Sequence, residues 1–166
     1  MAPREPSEIE LFEGTAEALR ELARAGFALV VVTNQSAIAR GEASWDEVRR
    51  VHEHLARLLP IEAFYVCPHH PDCGLAPYRR ACACRKPAAG LLRLASRERR
   101  LDPTRSWMVG DARRDVAAGL AAGARAVLVE TGKGSRERGL LDAEPSARTL
   151  VTADLRAAAQ QILRAG

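Results

Sequence analysis

The feature that most constrains the fold is a run of six apolar residues, Phe27-Ala28-Leu29-Val30-Val31-Val32, which stops at the polar turn Thr33-Asn34-Gln35-Ser36. The run is far too short to span a bilayer, and it lacks the alternation of a strand with one wet face. Its β-branched character predicts a strand buried on both faces, and such strands belong to parallel sheets covered by helices on either side. The rest of the chain supplies those helices.

Residues 14–25 place Ala16, Leu19, Leu22 and Ala23 on one helical face, and Gly26 follows as a stop. Ser44 and Glu47 form a capping-box pattern that opens a helix reaching about Leu59. Residues 61–66 read as the next strand. Residues 67–85 form an irregular loop of 19 residues, long enough to require a reason. Pro87 suits the first turn of a helix ending near Arg100. Strands at 106–109 and 126–130 flank a helix at 112–122 that stops at Gly123. A short strand near Leu150 and a helix from about Ala153 close the pattern. Helices alternating with strands imply one α/β domain over residues 1–166, with a parallel, doubly wound, Rossmann-like sheet whose ligand lies beyond the carboxyl ends of the strands.

Composition narrows the class of function. The chain has 166 residues, 47% hydrophobic and 28% charged, with a net charge of +4 spread along the helices. Only 4% of residues are aromatic, which leaves little for base stacking, so no nucleic-acid partner is expected. There is no apolar leader and no membrane-length segment, which points to the cytoplasm and to no membrane partner. Four cysteines then read as metal ligands or reactive thiols before they read as disulfides. The chain holds 23 arginines but only two lysines, Lys86 and Lys133. A lysine kept against that bias marks a position where a compact ammonium is needed.

Four groups of residues carry chemistry. Cys67-Pro68-His69 and, after twelve intervening residues, Cys82-Ala83-Cys84 offer three thiolates and an imidazole, a closed set typical of structural zinc. His70 and Cys73, in the same loop, are spare candidates. Thr33-Asn34-Gln35-Ser36 at a strand end offers hydroxyls, amides and backbone N–H groups to phosphate oxygens, although such residues also simply make turns. Arg85-Lys86 before Pro87 places two cations at a helix start, or else is a surface pair. Gly110-Asp111 with Asp115 sets one carboxylate at a strand end and another a turn later. That pattern suits Mg²⁺, or leaves Asp111 as a helix N-cap.

In this order the four groups resemble the haloacid-dehalogenase superfamily of phosphatases, with Thr33 as its second motif, Lys86 its third, and Gly110-Asp111 with Asp115 its fourth. The stretch Val30-Val-Val-Thr-Asn-Gln-Ser-Ala-Ile-Ala-Arg-Gly41, with Cys67-Pro-His-His-Pro71 and the long spacing to Cys82, is similar to the zinc-bearing branch that contains the heptose-1,7-bisphosphate and histidinol-phosphate phosphatases. The resemblance covers roughly residues 8–165. It implies a Mg²⁺-dependent phosphomonoesterase acting, as a monomer, on a small phosphorylated sugar such as heptose 1,7-bisphosphate. Thr33 would hydrogen-bond the transferring phosphoryl group and Lys86 would neutralise it. Asn34, Gln35, Ser36 and Arg85 would contact substrate. Asp111 would hold Mg²⁺, Asp115 would support that site, and zinc on Cys67, His69, Cys82 and Cys84 would be structural.

Two departures qualify the resemblance. Ala112 stands where the heptose enzymes carry a substrate-contacting lysine. More consequentially, the superfamily's opening motif, Asp-x-Asp-Gly-Thr, supplies the nucleophile and the general acid/base, whereas the first aspartate here is Asp46. The strand bearing that motif lies in the middle of the superfamily's sheet. Its absence implies that residues 27–32 and 106–109 do not pair with one another, and that the chain as it stands does not turn over phosphate esters. A chain missing its opening segment is one expectation. A shortened, zinc-stabilised phosphate-binding or regulatory module is the alternative.

Overall fold

Residues 3–140 and 147–165 are described in a computed structural model of the chain. The chain divides into two units, Met1–Arg85 and Lys86–Gly166.

In the first unit, helix α1 (Thr15–Arg24) buries Ala18 and Leu22, and Gly26 ends it with φ 90°, a conformation that favours glycine. Strand β1 (Val30–Asn34) follows and pairs in parallel with β2 (Ala63–Cys67), in a register running from Val30 opposite Ala63 to Asn34 opposite Cys67. Between them lie helix α2 (Ser36–Ala39) and helix α3 (Trp45–Leu58). The Ser44 side chain accepts the Glu47 N–H, and the Glu47 carboxylate accepts the Ser44 N–H, so the reciprocal cap is formed as expected.

One expectation needs correction here. The strand begins three residues later than its apolar run and takes in Thr33 and Asn34, and every residue in it is half-buried. Its ladder runs on one side only among the described residues, so it lacks the two neighbours that bury a central strand. The polar turn after it passes directly into α2, which begins at Ser36 and buries Ala37, Ile38 and Ala39.

The second unit runs α4 (Gly90–Arg99), β3 (Trp107–Gly110), α5 (Arg113–Ala122), β4 (Arg125–Val129), α6 (Gly134–Glu137), β5 (Thr149–Thr152) and α7 (Leu155–Ala165). Its sheet has the order β3-β4-β5, all parallel. The strand buried on both faces is β4. Ala126 and Leu128 pack with Val116 and Leu120 of α5, whereas Val127 and Val129 pack with Ala158 of α7 beside Trp107 and Val109. That alternation puts one helix on each face, the doubly wound arrangement, and each fully buried aliphatic chain contributes about 1.5–3 kcal/mol. Gly119 lets α5 close on β3, since a Cβ there would lie 2.5 Å from that of Met108. Helix α4 starts at Gly90 and not at Pro87. Residues 86–89 form a turn and bend before it, and the Lys86 side chain at their start is buried in an ion pair with Asp115.

The parallel α/β architecture is thus present, distributed over two sheets. Among the described residues β1 pairs only with β2, and β3 only with β4. Residues 9–12 hold no strand. Among the described residues, no helix is long and apolar enough to cross a membrane.

Candidate active site

The zinc-type cluster grows out of the end of β2. Cys67, its last residue, is fully buried. The Cys84 Sγ lies 3.2 Å from the Sγ atoms of both Cys67 and Cys82, and Cys67 and Cys82 are 3.6 Å apart. The His69 Nδ1 is 3.3 Å from Cys84 and 3.7 Å from Cys67. All four ligand atoms fall within 4.8 Å of one another. Tetrahedral zinc with Zn–S bonds of about 2.3 Å has ligand–ligand edges of about 3.8 Å, so the four expected residues fit that metal. The spare candidates stand apart: the His70 Nδ1 accepts the N–H groups of Asp72 and Cys73, both at 3.2 Å.

Burial pushes the Cys67 and Cys84 thiols up. It acts the same way on Cys82, but hydrogen bonds from Cys84 and Cys67 outweigh it and bring that thiol down. Burial, then the Arg80 charge, lowers His69. Three sulfurs this close cannot all be anionic without a cation among them, and a dication would supply it.

This cluster is joined through the backbone to the Thr33–Ser36 turn. The Gln35 N–H donates to the Cys67 carbonyl at 2.8 Å, and Asn34 sits in register with Cys67. The Leu75 N–H donates to the Ala39 carbonyl at 2.6 Å, and the close approach needs Gly74 at φ 109°, where a side chain would run into that carbonyl. The Ser36 hydroxyl accepts from Arg40 Nη1 at 2.9 Å. The Arg85 Nη1 donates to the His69 carbonyl at 2.9 Å. Thr33 and Asn34 close β1, as its polar end predicts.

In the second unit, Asp111 follows β3. It is not the cap of α5, which is Ala112. Its Oδ2 instead accepts the Lys133 N–H at 3.1 Å. Gly132, at φ 65°, makes room for this, because a Cβ there would lie 2.5 Å from that oxygen. One half-buried carboxylate oxygen at a strand end fits a hard, oxygen-seeking cation such as Mg²⁺. Lys86 and Asp115 are both buried, with Nζ and Oδ1 2.8 Å apart. Gly110 lies against Asp115 with no space for a Cβ. Lys86 is therefore not part of a surface pair at a helix start. It leaves Arg85 behind and is held from inside by Asp115. Sequence reasoning missed both this pairing and the contact between Asp111 and the loop after β4. The available signals were the scarcity of lysine and the Gly132-Lys133-Gly134 triplet.

The family model described as HAD-hydrolase-like matches residues 83–158. The D-glycero-beta-D-manno-heptose-1,7-bisphosphate 7-phosphatase of Haemophilus influenzae is 43% identical over 130 residues, 75% of this chain and 70% of that protein. The enzyme of the same name from Escherichia coli K12 is 42% identical over 130 residues, 75% and 68% of the two chains. Among solved structures, the D,D-heptose 1,7-bisphosphate phosphatase of B. bronchiseptica complexed with magnesium and phosphate superposes with a TM-score of 0.85 at 33% identity. It covers 99% of this chain and 90% of that one. With the ordered motifs, the parallel α/β fold and the four-ligand cluster, these similarities mean that the chain belongs to the HAD-like family of D-glycero-beta-D-manno-heptose-1,7-bisphosphate 7-phosphatases.

Proposed function

We propose that the chain binds phosphate and a metal ion in the manner of a sugar-bisphosphate phosphatase, with heptose 1,7-bisphosphate as the substrate. The observation that carries the reading is the group at the carboxyl end of β3, where Lys86 is buried and paired with Asp115 and where Asp111 presents a carboxylate. Thr33 would hydrogen-bond the transferring phosphoryl oxygens, with Asn34, Gln35, Ser36 and Arg85 contacting substrate and Lys86 neutralising the phosphoryl charge. Asp115 supports the site by holding Lys86. Asp111 would hold Mg²⁺, which supplies further neutralisation of the phosphate. Cys67, His69, Cys82 and Cys84 would hold a structural zinc that fixes the loop after β2, and a closed ligand set leaves the metal no part in hydrolysis. The zinc-type cysteines favour a reducing, cytoplasmic setting, and the chain is read as acting alone.

None of these residues replaces an aspartyl nucleophile. No aspartate in the sequence precedes Asp46, which favours binding without turnover by this chain as it stands. Phosphate release from heptose 1,7-bisphosphate with Mg²⁺, beside calorimetric titration of inorganic phosphate, tests both parts. The expected result is binding with no release. Joining a strand that ends in Asp-x-Asp-Gly-Thr to the N-terminus should then give release that Asp111→Asn removes. Absence of phosphate binding would sink the reading, and turnover by the unextended chain would sink the part that concerns the nucleophile.

A further inference from the structure

Of the two lysines, Lys86 is absorbed by the site just described, and Lys133 is not. It lies in the turn after β4, and its backbone is pinned from several sides. Its N–H bonds the Asp111 carboxylate at 3.1 Å, and its carbonyl accepts from the N–H groups of Arg136 and Glu137 at 3.0 and 3.2 Å. The glycines on either side have no room for a side chain, Gly132 against Asp111 and Gly134 against the Val129 carbonyl. The backbone at Lys133 is therefore rigid and adjacent to the metal-type carboxylate.

The side chain is the opposite. Lys133 is exposed and joins none of the ion pairs among the described residues. The nearby carboxylates are committed elsewhere: Glu130 pairs with Arg138 at 2.8 Å, and Glu137 accepts the Arg113 N–H at 3.1 Å. An ammonium on a stem reaching about 6 Å from its Cα is thus tethered beside Asp111, with no anionic partner among the described residues. A rigid anchor and an uncommitted, solvated cation suit an outer anionic group of a ligand. The buried, paired Lys86 suits the phosphate seated deepest.

We infer that Lys133 is a specificity-determining residue that binds the second, outer phosphate of a sugar bisphosphate. The inference rests on the phosphate-binding reading above. Calorimetric titration of the whole chain with Mg²⁺ compares inorganic phosphate, which reports the inner position alone, with heptose 1,7-bisphosphate. Lys133→Ala should weaken the bisphosphate roughly tenfold, as for one charge-assisted contact, and leave inorganic phosphate unchanged. Lys133→Arg, which keeps the charge, should retain most of the bisphosphate affinity. Inorganic phosphate and bisphosphate both failing to bind the unmutated chain would overturn the parent reading, and this one with it. If both bind, equal bisphosphate affinity in Lys133→Ala and the unmutated chain overturns the assignment of Lys133 alone. So does an equal loss for both ligands, or a Lys133→Arg chain as weak as Lys133→Ala, since either outcome places the effect in the turn and not in the charge.

Discussion

Replacing Asp115 by Asn keeps the shape of the side chain and removes its charge, taking from the buried Lys86 the carboxylate that lies 2.8 Å from its ammonium. The two side chains retain only 9% and 6% of their exposure, and their charged atoms are 2.8 Å apart. At an effective dielectric of about 20 the attraction is roughly 6 kcal/mol, largely offset by the cost of taking both charges out of water. The pair therefore stabilises the fold little relative to an apolar pair of similar volume, whereas removing one partner costs about 3–5 kcal/mol. Asp115 also lies in the first turn of α5, where loss of a negative charge costs a further few tenths to 1 kcal/mol. Asp115→Asn should thus cost roughly 4 kcal/mol, Lys86→Met about 3, and the two together much less than their sum. Urea unfolding followed by circular dichroism reads this directly: with a slope near 2 kcal/mol per molar, Asp115→Asn should lower the midpoint by about 2 M. A single-variant cost below about 1 kcal/mol, or a double variant equal to the sum of the singles, would refute the claim that the pair acts as a unit.

Other expected outcomes follow from the same structure. Burial holds the imidazole of His52, stacked on Phe64 with centroids 4.4 Å apart, below its ordinary range. The folded chain therefore binds fewer protons there than the unfolded one. The stability concerned is fully present above about pH 6.5 and is lost as pH falls from there through the folded value; His52→Gln should flatten that decline in urea midpoints, and an unchanged slope would refute it. Metal analysis of the purified chain should find one zinc per chain, lost in the joint Cys82→Ser and Cys84→Ser variant; no zinc, or full retention in that variant, would count against the ligand assignment. Lys86→Arg should weaken phosphate binding more than Arg85→Lys, because a guanidinium must enter a buried space shaped for an ammonium beside Asp115. Equal effects in a phosphate titration would remove the argument.

What the sequence by itself determined are the features written within a few residues of one another. The Ser44 and Glu47 cap, the stops at Gly26 and Gly123, and the two close ligand pairs around residues 67–84 are each set by local backbone geometry, and each stands where expected. The polar strand end at Thr33 and the Gly110-Asp111 turn were legible for the same reason. Tertiary structure decided the rest, because it depends on what lies across a strand or a helix. Six apolar residues before Thr33 predict two-sided burial, but burial requires neighbours. β1 has one ladder among the described residues, whereas β4, with two, is the strand that is buried. Composition showed Lys86 to be unusual, yet only packing could join it to Asp115, 29 positions away. Likewise, only the parallel pairing of β3 with β4 sets the loop after one strand against the carboxylate after the other. The partner of Asp111 is therefore a backbone N–H that no local motif announces.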